Sequence, residues 1–149
     1  MSEPPFPYIV GVERSGTTLT RAMLTSHPDL DITEEAPFRV DMSLKHERYE
    51  RPYGIDVDTF ASDLCRDPIF PSWGLSKDEV RGLLREAAPR TYSDAMREVF
   101  RHRAQIAGKK RYGDKTPSAI NFLPLLAKLF PEARFIHALD RARAKRAKA

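Results

Sequence analysis

Residues 8–24, YIVGVERSGTTLTRAML, run from an unbroken apolar stretch through two glycines, Gly11 and Gly16, into a segment with helical spacing. A short run that is apolar at every position predicts a strand buried on both faces, and such strands belong to parallel sheets covered by helices. Leu19, Ala22, Met23 and Leu24 recur at helical spacing and predict a helix over 17–27, stopped at His27-Pro28. A strand that turns on glycine into a helix gathers several backbone N–H groups around one point, and the helix dipole adds positive potential there. Arg14 adds a planar cationic fork, and Ser15, Thr17 and Thr18 add hydroxyl donors. The lysine that bridges the outer phosphates of a triphosphate would follow the second glycine; Thr17 stands there instead. Taken alone, the Gly-x4-Gly spacing fits either an anion loop without that lysine or a structural turn with Arg14 solvated.

The same order of strand, loop and helix returns near the end of the chain. KRYGDKTPS leads into AINFLPLLAKLF, which Pro131 ends, and ARFIHAL predicts a further short strand. LDITEEAPF, residues 30–38, predicts a short second strand leading into a loop. Between these units the pattern is helical. A short helix is expected over 57–66. Ser76 with Glu79 three positions on forms a capping box ahead of a helix over 76–88. Ala95, Met96, Val99 and Phe100 give an apolar face to a helix over 91–108, with Gly108 closing it. From 39 to 75 the signals weaken, and HERYERPYGIDVD within that stretch is polar and turn-rich. The expectation is an α/β fold with a small parallel sheet of about three strands and a helical insertion.

Charge bears on partners. The chain of 149 residues carries 25 Lys+Arg against 21 Asp+Glu, but RARAKRAKA at its end holds five of the basic side chains, and removing them leaves 20 against 21. The positive balance is thus confined to 140–149, expected to be a solvated tail, and not spread over a nucleic-acid-binding face. No aromatic residues are interleaved in that tail, so nucleic acid is expected to be at best a nonspecific partner. Cys65 is the single cysteine, which excludes an intrachain disulfide within these residues and a thiolate zinc site; it is expected to fill apolar space. MSEPPFPYIV has neither the basic region nor the long apolar core of a signal peptide, and no apolar run nears the roughly 20 residues of a membrane span. The expectation is a soluble protein of the cytoplasm, without metal and without membrane contact. Oligomeric state is left open.

Three blocks taken together carry a resemblance: GVERSGTTLTRAMLTSHPDL followed by EE, then GDKTPS, then LAKLFPEARFIH. In that order they resemble the sulfotransferases that use 3′-phosphoadenosine-5′-phosphosulfate (PAPS), in the branch of the protein-tyrosine sulfotransferases and their bacterial relatives. The similarity spans residues 1–139, with a divergent middle. It implies a P-loop-like three-layer fold and a lysine-free loop, Arg14, Ser15, Gly16, Thr17 and Thr18, that holds the donor's 5′-phosphate. Arg14 falls where the family touches the phosphate–sulfate bridge. Glu35 falls at the family's general base, a role the chemistry requires because an acceptor hydroxyl is a poor nucleophile until its proton leaves. Lys115 matches the lysine that approaches the sulfuryl oxygens. The plainer readings are a solvated acidic pair at Glu34 and Glu35, and a turn residue at Lys115. Asp114 is expected to be structural, capping the following helix.

The resemblance breaks at its end. After FIH the family continues with Arg-Asp-x-Arg and then a serine, which grip the donor's 3′-phosphate; here Asp140 and Lys148 stand at the Arg and Ser positions. A carboxylate facing a phosphate is repulsive. Arg141 or Arg143 restores the contact only if the register slips. Family domains also run well beyond this point, so the chain corresponds to the N-terminal half of such a domain, by truncation, a shifted frame or degeneration. Three functions follow: a sulfotransferase moving a sulfuryl group onto a hydroxyl or amine of a small-molecule or peptide acceptor; an inactive remnant that binds a nucleotide 5′-phosphate or sulfate; and a P-loop kinase or NTPase, disfavoured by Thr17. Residues 39–110 would help shape the acceptor pocket, with Trp73 or Tyr53 lining it or packed in the core.

Overall fold

The computed structural model describes residues 3–12, 16–33 and 35–138. Four parallel strands make its main sheet: β1 (Phe6–Gly11), β2 (Leu30–Ile32), β5 (Arg111–Lys115) and β6 (Ala133–Ala138), in the spatial order β2-β5-β1-β6. The sequence pattern implied about three strands and the sheet has four; β2, at the start of the 30–38 stretch read as a short strand and loop, is one of them. Tyr8 lies opposite Asp114 and Phe135, and Ile9 opposite Lys115 and Ile136, which sets the register of the whole sheet.

Alternation along β1 sends its side chains to two cores. Ile9 joins Leu30 and Ile32 beneath Leu24 of helix α1 (Thr17–Thr25) on one face. Phe6, Tyr8 and Val10 enter the larger core on the other face. That core is closed by α2 (Pro37–Ser43), α3 (Val57–Arg66), α4 (Lys77–Ala87), α5 (Tyr92–Ile106) and α6 (Leu123–Leu129). Helices thus cover both faces of a parallel sheet, the α/β arrangement expected. A two-residue hairpin, β3 (Glu50–Arg51) and β4 (Gly54–Ile55), precedes α3.

The insertion is built by local signals of ordinary kind. Ser76 and Glu79 exchange both capping-box hydrogen bonds, each 3.1 Å, at the start of α4. Asp56 accepts from the Thr59 amide at the start of α3, and Thr91 from the Asp94 amide at the start of α5. Tyr92, Ala95, Met96, Val99 and Phe100 of α5 are all buried, so one side of this helix supplies much of the core. Three boundaries differ from the sequence pattern. Helix α1 ends at Thr25, two residues short of His27, because Ser26 already closes it through backbone bonds to Ala22 and Leu24. Residues 33–38 do not extend β2 as one loop; Pro37 sits in the first turn of α2, whose seven residues are too few to show a period. The segment before Pro131 is a 3₁₀ turn, Pro117–Phe122, followed by α6.

Gly113 shows how closely the sheet is packed at its centre. A Cβ there would lie 2.8 Å from Cγ1 of Ile32 and 2.9 Å from Cγ of Pro7. Gly82, inside α4, has nothing within 4 Å of the same position. Gly113→Ala is therefore expected to lower the unfolding free energy by about 1–3 kcal/mol through overpacking. Gly82→Ala is expected to raise it by about 0.5–1 kcal/mol through helix propensity. Urea titration of both variants beside the wild type checks the pair.

Candidate functional site

The carboxyl ends of β2 and β5 lie side by side, and a cavity of about 560 Å³ opens against them. Open parallel sheets place ligands at this edge. Helix α1 contributes Thr18 and Arg21 to the cavity, β2 and its following turn Asp31, Thr33 and Glu35, and β5 its last residue, Lys115. Arg103 of α5 and the turn holding Ser72 and Trp73 also line it.

Lys115 and Glu35 meet here. Nζ of the lysine lies 3.7 Å from Oε1 of the glutamate; the lysine side chain is 9% exposed and the glutamate 47%. The cavity thus presents a cation with little water around it beside a carboxylate that solvent still reaches. Gly16 caps α1 with φ 88°, the left-handed region that glycine adopts without strain, and no side chain occupies the cap. The first turn of α1 holds no acidic residue. Its leading amides therefore meet no competing anion from their own turn, which leaves them suited to an external one.

Glu35 and Lys115 are held by their neighbours. The Thr116 hydroxyl accepts a 2.9 Å hydrogen bond from the Ala36 amide and donates one of 2.7 Å to Oδ1 of Asp114, while the Thr116 amide donates to the Ile9 carbonyl. The residue after the glutamate is thereby tied to the residue after the lysine, across 80 positions of sequence. Oδ2 of Asp114 lies 3.2 Å from Nη1 of Arg39, and both side chains are fully buried. The Arg39 guanidinium stands 3.5 Å from the centre of the Phe100 ring and 4.8–5.5 Å from those of Phe130, Phe6 and Tyr8. Burial pushes the Asp114 carboxyl above its ordinary range, against the opposing pull of Arg39 and the Thr116 hydroxyl. Burial and the nearby Asp114 charge push the Tyr8 phenol up as well. Asp114 is structural as the sequence suggested, but it caps no helix: its oxygens face Arg39 and Thr116, and the Pro117–Phe122 turn has no side-chain cap.

A sequence model of the sulfotransferase family matches residues 5–143. The chain belongs to the sulfotransferase family. The match runs four residues past 139, the end of the resemblance read from the sequence. Protein-tyrosine sulfotransferase 1 of Mus musculus is 29% identical over 136 residues, which are 89% of this chain and 30% of that protein. The Danio rerio protein of the same name is 30% identical over 135 residues, 89% of this chain and 31% of its own length. The chain thus spans about three-tenths of the length of these curated relatives.

Of the sequence-selected positions, Glu35, Lys115 and Thr18 line one cavity, and Gly16 and Thr17 open the helix beside it, Thr17 buried. Arg14, Ser15, Glu34, Asp140, Arg141, Arg143 and Lys148, with the 140–149 tail, lie outside the described residues. Trp73 both lines the cavity and packs into the core, edge-on to Phe38 and Phe100. Tyr53 does neither: it is exposed, beside α4. Cys65 packs partly buried against the main core, as a filler would. Sequence reasoning missed Arg39, Arg21, Arg103, Asp31 and Thr33. Nothing in the local pattern singles out one arginine among 25 basic residues; only the fold puts Arg39 beside Asp114.

Removing one partner of a buried ion pair strands the other charge. Asp114→Asn is expected to cost about 3–5 kcal/mol of stability. Thr116→Val, which leaves the Ala36 amide unpaired, is expected to cost about 1–3 kcal/mol, with Thr116→Ser near wild type. Chemical denaturation with matched slopes tests both, and an Asp114→Asn midpoint equal to wild type would show the pair to be energetically idle.

Proposed function

We propose that this chain supplies the donor-phosphate loop and the reacting pair of a PAPS-dependent sulfotransferase. One observation carries the reading: Glu35 and Lys115, distant in sequence, stand 3.7 Å apart in a cavity that also receives the first turn of α1. Membership of the sulfotransferase family supports it.

PAPS, as co-substrate, brings an activated sulfuryl group whose transfer needs no metal. The uncapped start of α1, with Gly16, Thr17 and Thr18, would hold the donor's 5′-phosphate, and Arg14 and Ser15 belong to the same loop in this reading. Glu35 acts as general base, accepting the proton of an acceptor hydroxyl; its half-exposed carboxylate can be reached by an acceptor entering the cavity. Lys115, nearly enclosed, keeps its charge directed into the cavity and, with Arg14, opposes negative charge that develops on the oxygens around sulfur. Arg141 or Arg143 would have to serve the 3′-phosphate in place of the residue that Asp140 replaces. Residues 1–139 form one P-loop-like unit in this proposal, 140–149 a basic tail, and the cytoplasm the compartment, supported by a single free Cys65. The acceptor is a small molecule or a peptide bearing a hydroxyl. Among the described residues no helix is long and apolar enough to cross a membrane.

Calorimetry with adenosine 3′,5′-bisphosphate and with adenosine 5′-phosphate tests the donor side. Tighter binding of the bisphosphate is expected. Equal binding of the two favours the inactive remnant, and a preference for magnesium-ATP favours a kinase. In PAPS-supported transfer to a hydroxyl acceptor, Glu35→Gln is expected to lower kcat by about 10²–10⁴ while leaving nucleotide affinity intact. Lys115→Met is expected to lower kcat by about 10²–10³. Unchanged turnover in Glu35→Gln would remove it from the role of base.

A further inference from the structure

The wall of the cavity beyond Glu35 carries three polar atoms that are buried and have no hydrogen-bond partner: Oγ1 of Thr33, Oδ2 of Asp31 and Nε of Arg103. Thr33 is only 7% exposed. Buried polar groups in folded proteins are nearly always paired, so hydrogen-bonding capacity left open around one cavity invites a partner from outside the chain, although the Asp31 and Arg103 charges also attract each other. Their placement follows from the fold. Asp31 of edge strand β2 faces away from Leu30 and Ile32 of the small core, and Thr33 directly follows the strand. Arg21 closes the strand end by donating from Nε to the Ile32 carbonyl at 2.7 Å. Asp31 keeps cations about it: burial raises its pKa, and Arg103, Arg21 and Lys109 oppose that rise.

The three orphans set the chemistry of what fits. Asp31 needs a donor, Thr33 takes either role, and the Arg103 Nε–H needs an acceptor. A neutral molecule with several hydroxyls offers both roles from neighbouring atoms. A phenol offers one polar atom, which Glu35 would claim, and its ring would leave the orphans unmet. Ile69 and the mostly buried Trp73 are the cavity's apolar side chains among the described residues. The volume of about 560 Å³ lies within the range of small-molecule pockets, about 300–1,000 Å³.

The geometry points to an acceptor subsite made by Asp31, Thr33 and Arg103 that takes a small polyhydroxylated molecule of the glycoside class, with one hydroxyl presented to Glu35 and others bound on this wall. The inference rests on the proposed sulfotransferase reading for the fate of that hydroxyl, but binding itself does not depend on turnover. Sites built around hydroxyl recognition reject analogues that lack the hydroxyl, because their own buried groups are then left unpaired.

The test is ligand-observed NMR titration of the full chain with methyl β-glucopyranoside and, separately, with N-acetyl-tyrosine amide. Adenosine 3′,5′-bisphosphate serves as the donor-side probe. The glycoside is expected to bind and the tyrosine amide to bind more weakly or not at all. Thr33→Val, Asp31→Asn and Arg103→Met are each expected to weaken the glycoside by about tenfold, the scale of one lost buried hydrogen bond. Nucleotide affinity should stay within about twofold in all three, and Thr33→Ser should bind the glycoside like wild type. If one substitution unfolds the chain, the remaining two decide the matter. Failure of the glycoside to bind overturns the subsite. So does wild-type glycoside affinity in the folded variants, or tighter binding of the tyrosine amide that the same substitutions weaken. Glycoside binding that responds to the variants, with no nucleotide binding at all, would uphold the subsite and remove the sulfotransferase reading on which its use depends.

Discussion

The ion pair between Arg39 and Asp114 is the constraint around which this structure is arranged. Both side chains are fully buried, and the guanidinium is enclosed by four aromatic rings from β1, α5 and the residue that follows α6. Taking two charges out of water is costly, and their attraction repays that only when geometry and further hydrogen bonds are good. Those further bonds exist on the Asp114 side, through the Thr116 hydroxyl. The pair therefore fixes α2 against the centre of the sheet, and the fixation is passed on to the two residues that face the cavity.

That transmission is short. Asp114 and Thr116 flank Lys115 on β5, and Ala36, held by Thr116, follows Glu35. Because side chains alternate along a strand, Asp114 and Thr116 both face inward to the pair while the lysine at the strand's end is free to face the cavity. Positions turned to the core and a position facing the cavity are thus interleaved in one tripeptide. Burial raises both titrating groups of this layer, Tyr8 and Asp114, and the Arg39 charge opposes the rise in each.

The first βα unit was legible because its signals are local. An apolar run, a glycine forced into positive φ and a following helix need no distant partner to be recognised, and Gly16 has φ 88° in the structure. The capping box of Ser76 and Glu79 acted where the pattern put it, for the same reason. Helix α2 was not legible, and β2 was read only as part of the 30–38 stretch. Strand β2 has three residues and α2 seven, so each derives its conformation from what it packs against and not from a repeating pattern. Glu35 and Lys115 were found through the blocks EE and GDKTPS, whereas Asp31, Thr33 and Arg103 belong to no block and became visible only as orphaned atoms on one wall.

Sequence alone determined the class of fold, the family and the identity of the candidate base and cations, since these reside in contiguous residues whose chemistry is independent of context. Tertiary structure decided which charges would be buried together and which would share a cavity. Arg39 is one of many arginines until α2 turns it inward, and Asp31 is an ordinary strand residue until β2 becomes the sheet's edge beside α5. The physical reason is that electrostatic and hydrogen-bond energies depend on distance and on the exclusion of water, and both are set by contacts between residues far apart along the chain.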